Sequence, residues 1–252
     1  MAVRSSALRW LLAVPLALLL LYTLLCMGFY VAGARHLPDR LEPARWQATP
    51  EVRAQLLQVE AGMAPGDTVP RLDPLTFIPR LMYHADPDAR DDAFLQRWRL
   101  LSSAARQRYP RHLHIRNVSR HGVEIALAIR LSREWTTAQI ADTLLAESHY
   151  GRCSVGIDQA AYAYFGRPLA QLRPQETLAL IALLKSPSWY SLDRNPERFR
   201  QRYDAVAERL GHRGPDWSAD AALARLMPPA CTGTHARSAG GRGRLATTGR
   251  VR

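Results

Sequence analysis

Arginine and histidine crowd one stretch of this 252-residue chain: Arg106, Arg108, Arg111, Arg116 and Arg120, with His112, His114 and His121 between them. A guanidinium group matches two phosphate oxygens at once, so such a cluster suits a phosphorylated ligand. The same residues also read as a solvated basic face against anionic lipid headgroups. Glu124 follows Arg120 by four residues, and Glu60 ends a helical stretch that opens at Glu51. A carboxylate can accept a proton beside such cations. The plainer readings are a surface glutamate at Glu60 and a helix-starting one at Glu124, favoured there by the helix dipole. Lys185 is the only lysine among 34 Lys+Arg. A G+C-rich genome explains the arginine bias, and a lysine kept against that bias suggests a geometric need. Cysteine and histidine spacings do not read as a zinc site, so no structural metal is expected. Of Cys26, Cys153 and Cys231, the last two leave one disulfide open in an oxidising compartment.

The formal net charge of +12 calls for an anionic partner. Nucleic acid, anionic phospholipid and a phosphate-bearing substrate all qualify. The N-terminus narrows the choice. Residues 10–34 contain no charged side chain and are rich in leucine, and about 20 apolar residues cross a bilayer. Arg4 and Arg9 precede the run and favour a cytoplasmic N-terminus. Trp10, Tyr22 and Tyr30 are expected interfacial anchors. A cleavable signal peptide ending near Ala32-Gly33-Ala34 is the rival reading, but its apolar core would be shorter. Either way the remainder is exported, which removes cytoplasmic nucleic acid as a partner.

The elements that must position the chemistry are helical. Apolar residues recur at three- and four-residue spacings in 94–108, 123–130, 137–147, 159–165, 174–184 and 197–210, and strand-like alternation is nearly absent. Turn signals separate these stretches, among them Gly166-Arg167-Pro168, Ser186-Pro187 and Asn195-Pro196. The pattern predicts an all-α domain. The expected organisation is a cytoplasmic N-terminus (1–9), a transmembrane anchor (10–34), a juxtamembrane connector (35–50), one folded domain (51–231) and a basic tail (232–252) whose composition predicts disorder.

Residues 150–210 carry a series of motifs in fixed order. Tyr150-Gly151-Arg152 leads to a small-residue helix ending Tyr164-Phe165-Gly166. A leucine-rich helix runs into Lys185-Ser186-Pro187-Ser188-Trp189-Tyr190, and Asn195-Pro196 opens the last helix. This series resembles the peptidoglycan glycosyltransferase domain, glycosyltransferase family 51. The resemblance implies a lysozyme-like all-α fold and polymerisation of lipid II, in which a sugar 4-hydroxyl attacks an anomeric carbon and polyprenyl pyrophosphate leaves. Arg120-His121-Gly122-Val123-Glu124 stands where the family has Arg-Lys, two residues and a glutamate. The resemblance therefore implies Glu124 as an active-site carboxylate. It implies Arg108, Arg116, Arg120, His121 and Lys185 as substrate contacts, and Glu60 as the general base. It implies lipid II and a nascent glycan strand as ligands, other cell-wall synthases as partners, and the bacterial inner membrane with the domain on the periplasmic side. No cofactor is implied beyond a divalent cation bridging the substrate pyrophosphate.

The chain departs from the family at two places. The family's Gly-Gly-Ser-Thr-Ile-Thr-Gln-Gln is replaced by Leu101-Ser102-Ser103-Ala104-Ala105-Arg106-Gln107-Arg108. The motif around Glu60 keeps Val59-Glu60-Ala61 and Asp73-Pro74-Leu75 but has lost a Phe and a His between them. A polymerase is the first expectation. A homologue that binds lipid II or a synthase without turnover is the second, and a lysozyme-like lytic enzyme the third.

Overall fold

Proline and threonine open the helices that matter most to the cleft. The computed structural model describes residues 3–83, 93–108, 117–192 and 194–212. In chain order the helices are α1 (Val3–Ala34), α2 (Pro50–Ala61), α3 (Pro74–Tyr83), α4 (Ala93–Arg108), α5 (Asn117–Glu134) and α6 (Thr137–Glu147). A small antiparallel hairpin follows, β1 (His149–Gly151) with β2 (Ser154–Val155), then α7 (Ile157–Phe165), a 3-10 turn, α8 (Pro174–Leu184) and α9 (Pro196–Arg209). The fold is all-α, as the apolar spacing predicts. The hairpin is an addition to that expectation: its turn residues Arg152 and Cys153 both have positive φ (49° and 59°), a conformation that Asn-Gly would have signalled and Arg-Cys does not.

The apolar stripes of α5, α6 and α8 all contribute to one core, in which Leu127, Leu131, Ile140, Leu145, Leu180 and Ile181 are fully buried. Local chemistry sets the ends. Thr49 caps α2 and Pro50 occupies its first turn, while Thr136 and Gln139 form a reciprocal capping box on α6. At α8, Glu176 is buried, accepting from the Arg173 backbone N–H at 2.8 Å and pairing with Arg167 and Arg173.

Within α1, Leu12–Ala34 is the one span among the described residues long and apolar enough to cross a membrane. Its C-terminal half lies on α5 and α3. Tyr22 is not an end anchor: it sits mid-span and its hydroxyl donates to the Leu75 carbonyl at the start of α3. A Cβ on Gly33 would fall 2.4 Å from the Gly122 carbonyl oxygen of α5 and 2.9 Å from the Ala126 Cβ. Only glycine permits that approach of two backbones. Gly33→Leu should therefore force α1 and α5 apart, at about 1–3 kcal/mol for overpacking, lowering the melting temperature in micelles by roughly 2–12 °C. Gly122→Ala places its methyl 3.6 Å from the Phe29 ring, an ordinary contact, and should hold the melt or raise it by a few degrees, since alanine favours a helix interior. Equal behaviour of the two variants would refute this close packing.

Two boundaries differ from expectation. α5 begins at Asn117 rather than near Val123, so Glu124 lies inside the helix and is not a helix-starting glutamate. Gly122 breaks the helical signal in sequence, whereas in the fold it is where α1 packs. The connector at 35–50 is bonded to the domain rather than hanging from it. Ala44 N–H donates to Thr143 Oγ1 (3.1 Å), Ala48 N–H to Asp142 Oδ1 (3.0 Å), and Trp135 Nε1 to the Leu41 carbonyl (3.0 Å). Arg130 holds the carbonyls of Pro38 and Asp39. The tail 232–252 lies outside the described residues.

Candidate active site

The last turn of α2 carries Glu60 to the edge of a cleft of about 350 Å³ formed with α4, α8 and α9. That turn is closed by Gly62 in the left-handed region (φ 60°), its N–H bonded to the Gln58 carbonyl. A side chain there is strained by the positive φ, and the Gln96 side chain, whose Oε1 would lie 2.5 Å from the Cβ, would have to swing away. Gln96 itself lines the cleft from α4. A second depression of about 360 Å³, lined by Gln58, Gly62, Met63 and Ala64, shares Gln96 and Arg209 with the first.

The cleft is strongly cationic. Arg99, Arg106, Lys185, Arg202 and Arg209 line it against one carboxylate, Glu60. Glu60 Oε1 accepts from Arg202 Nη2 at 2.7 Å, and the two side chains are 18% and 8% exposed. The Arg202 Nε is buried without a partner among the described residues. Desolvation lowers the Lys185 pKa from its ordinary value; Arg202, Arg209 and Arg99 add to that and Glu60 opposes it. A carboxylate that faces several cations across a groove can take a proton while the cations hold a developing anion.

Glu124 does not line this cleft but is joined to it. Its Oε1 accepts from Arg106 Nη1 at 3.2 Å, and Arg106 is a lining residue. The Arg106 side chain is 56% exposed, which puts the pair in the class worth about 0.2–1 kcal/mol. Arg106 thus touches Glu124 and lines the cleft that Glu60 also lines.

The other expected contacts divide. Lys185 lines the cleft. Arg108 is not among the lining residues; it pairs with Glu147, whose pKa burial raises while Arg108 opposes the rise. Arg120 and His121 are exposed on the first turns of α5, with Arg120 one helical turn before Glu124. Arg116, Arg111, His112 and His114 lie outside the described residues. Sequence reasoning left Arg99, Arg202 and Arg209 without a role. For Arg202 a signal was available: it occupies the buried stripe of Phe199, Tyr203 and Val206 on α9, where an arginine must find a buried partner.

Residues 101–211 match the sequence model of the family described as Transglycosylase. Over 95 residues the chain is 33% identical to penicillin-binding protein 1A of Pseudomonas aeruginosa, covering 38% of this chain and 12% of that one. It is 32% identical over 99 residues to penicillin-binding protein 1A of Aquifex aeolicus, covering 39% and 14%. With penicillin-binding protein 1F of Bacillus subtilis it shares 27% identity over 101 residues, covering 40% and 14%. In each case the chain spans a small fraction of the relative. Glu124, Lys185 and Arg202 fall within the matched segment, and Glu60 precedes it.

Proposed function

We propose, because residues 101–211 match the Transglycosylase family model, that this chain is a membrane-anchored peptidoglycan glycosyltransferase that polymerises lipid II. Glu60 takes the proton from the 4-hydroxyl of one sugar as that oxygen attacks the anomeric carbon of the other. The bond from that carbon to the pyrophosphate oxygen breaks, and the pyrophosphate leaves with the electron pair. Positive charge from Lys185, Arg202 and their neighbours stabilises the departing anion. The observation that carries this reading is the convergence of Glu60 and five cationic side chains on one cleft. The adjoining depression fits a reaction that must hold two sugars at once. The span in α1 fits substrates that are themselves lipid-linked, with the domain on the periplasmic side of the inner membrane.

A second reading has its own support: both carboxylates are already paired with arginine, Glu60 with Arg202 and Glu124 with Arg106. On that reading the protein holds lipid II without turning it over. Labelled lipid II incubated with the detergent-solubilised full chain separates the two. Glycan chains support the polymerase, and retention without polymer supports the binder. Muropeptides released from finished sacculi would contradict both.

Lys185 gives this reading a pH signature. Its lowered pKa means that its charge is lost, as pH rises, earlier than for an ordinary lysine. Affinity for inorganic pyrophosphate should therefore weaken through the alkaline range. Lys185→Arg keeps the charge throughout and should remove that limb from a pH titration of binding. An unchanged alkaline limb would exclude Lys185 from the anion site.

A further inference from the structure

We infer that Arg106 is a positioning residue shared between Glu124 and the phosphate oxygens of a diphosphate in the cleft, so that anion binding and Glu124 compete for one guanidinium. The inference rests on the proposed reading that this cleft receives a diphosphate. Its basis is the contrast between two ion pairs. Arg202 and Glu60 meet at 2.7 Å with both side chains largely buried, a geometry that holds. Arg106 and Glu124 meet at 3.2 Å with the arginine more than half exposed, and Arg106 also meets Ser103 Oγ at 3.2 Å. Arg106 is thus loosely held at both contacts, and its head lines a cleft that already contains Arg99, Lys185, Arg202 and Arg209. A diphosphate there carries more charge than one carboxylate and offers oxygens to both guanidinium nitrogens. It outbids Glu124. Turning Arg106 toward the anion leaves the Glu124 carboxylate free for substrate hydroxyl groups, so occupancy of the anion site and availability of the second carboxylate are coupled. Arg106 lies in the stretch that replaces the family's Gly-Gly-Ser-Thr-Ile-Thr-Gln-Gln, which contains no arginine, so the coupling belongs to this chain and not to the resemblance.

Coupling of this kind is reciprocal, and binding alone reads it. Inorganic pyrophosphate is titrated calorimetrically into the full chain in micelles, as wild type, Arg106→Gln, Glu124→Gln and the double variant. Unchanged melting curves check that each is folded. Glu124→Gln should bind about 5-fold tighter, at the low end of ordinary coupling, and Arg106→Gln should bind more weakly than wild type. In the Arg106→Gln background, Glu124→Gln should change affinity by less than about 2-fold, since its competitor is gone. Arg106→Lys, a point charge without the fork, should retain part of the Glu124→Gln effect. Equal tightening in both backgrounds would show a general field effect and overturn the inference alone, as would no tightening in either. Absence of pyrophosphate binding by the wild type would overturn it together with the cleft reading on which it rests.

Discussion

Glu60→Gln should reduce the rate of lipid II polymerisation by roughly 10²–10⁴-fold, the range contributed by a positioned general base, while leaving the protein folded. The amide keeps the shape of the side chain, and its oxygen can still accept from Arg202 Nη2, which now bonds Glu60 at 2.7 Å. What it cannot do is take a proton. The check is the initial rate of glycan formation from labelled lipid II, with the melting curve measured beside it. A Glu60→Gln protein that polymerises near the wild-type rate would move the base elsewhere. One that loses both rate and fold would make Glu60 a structural partner of Arg202, and Glu124→Gln would then become the informative variant.

Asp142→Ala should be the most destabilising of the polar substitutions in the domain. Asp142 is 4% exposed and accepts three hydrogen bonds: from Arg53 Nε (2.7 Å), Arg53 Nη2 (3.0 Å) and the Ala48 N–H (3.0 Å). Removing the carboxylate strands a guanidinium and a backbone donor. Breaking a buried pair costs about 3–5 kcal/mol. The Arg53 side chain is 22% exposed, so water recovers part, and about 2–4 kcal/mol remains. The expected fall in melting temperature is roughly 4–16 °C. The effect should reach the cleft, because α2 carries Glu60 and α6 contributes Leu144 to the lining. Replacing both partners, Arg53→Leu with Asp142→Leu, should recover much of the loss. If Asp142→Ala melts like wild type, the tie between connector, α2 and α6 is not a stabilising one.

Much of the fold can be read from the chain, since apolar spacings such as Ile140, Leu144 and Leu145 specify a helix face directly. Elements whose existence depends on a distant partner are not legible in that way. The hairpin at 149–155 turns through Arg152 and Cys153, which have no turn propensity, and the Arg152 guanidinium stacks on the Tyr164 ring at 4.3 Å. The start of α5 is obscured by Gly122, whose carbonyl lies against Gly33 on another helix. Asp142 looks like any polar residue on a helix until Arg53 and Ala48 are placed against it.

The candidate site divides along the same line. Glu60, Glu124 and Lys185 could be named because they stand in motifs, and the structure brings Glu60 and Lys185 to one cleft with Glu124 reached through Arg106. Arg99 and Arg209 stand in no motif, and Arg202 stands in the resembling run Arg202-Tyr203-Asp204 without an implied role; their convergence depends on how α4 and α9 pack around α2. The basic cluster that dominates the sequence, 106–120, contributes Arg106 to the lining; Arg108 is committed to Glu147.

On the proposed function, the diphosphate of a lipid-linked sugar sits between α2, α4 and α9. Lipid II carrying a photoreactive group beside its pyrophosphate tests it most directly, irradiated with the full chain in micelles and followed by peptide mapping. Crosslinks should concentrate in α4 around Gln96, Arg99 and Arg106 and in α9 around Arg202 and Arg209, and excess inorganic pyrophosphate should suppress them. Crosslinks confined to other elements, or insensitive to pyrophosphate, would contradict the account.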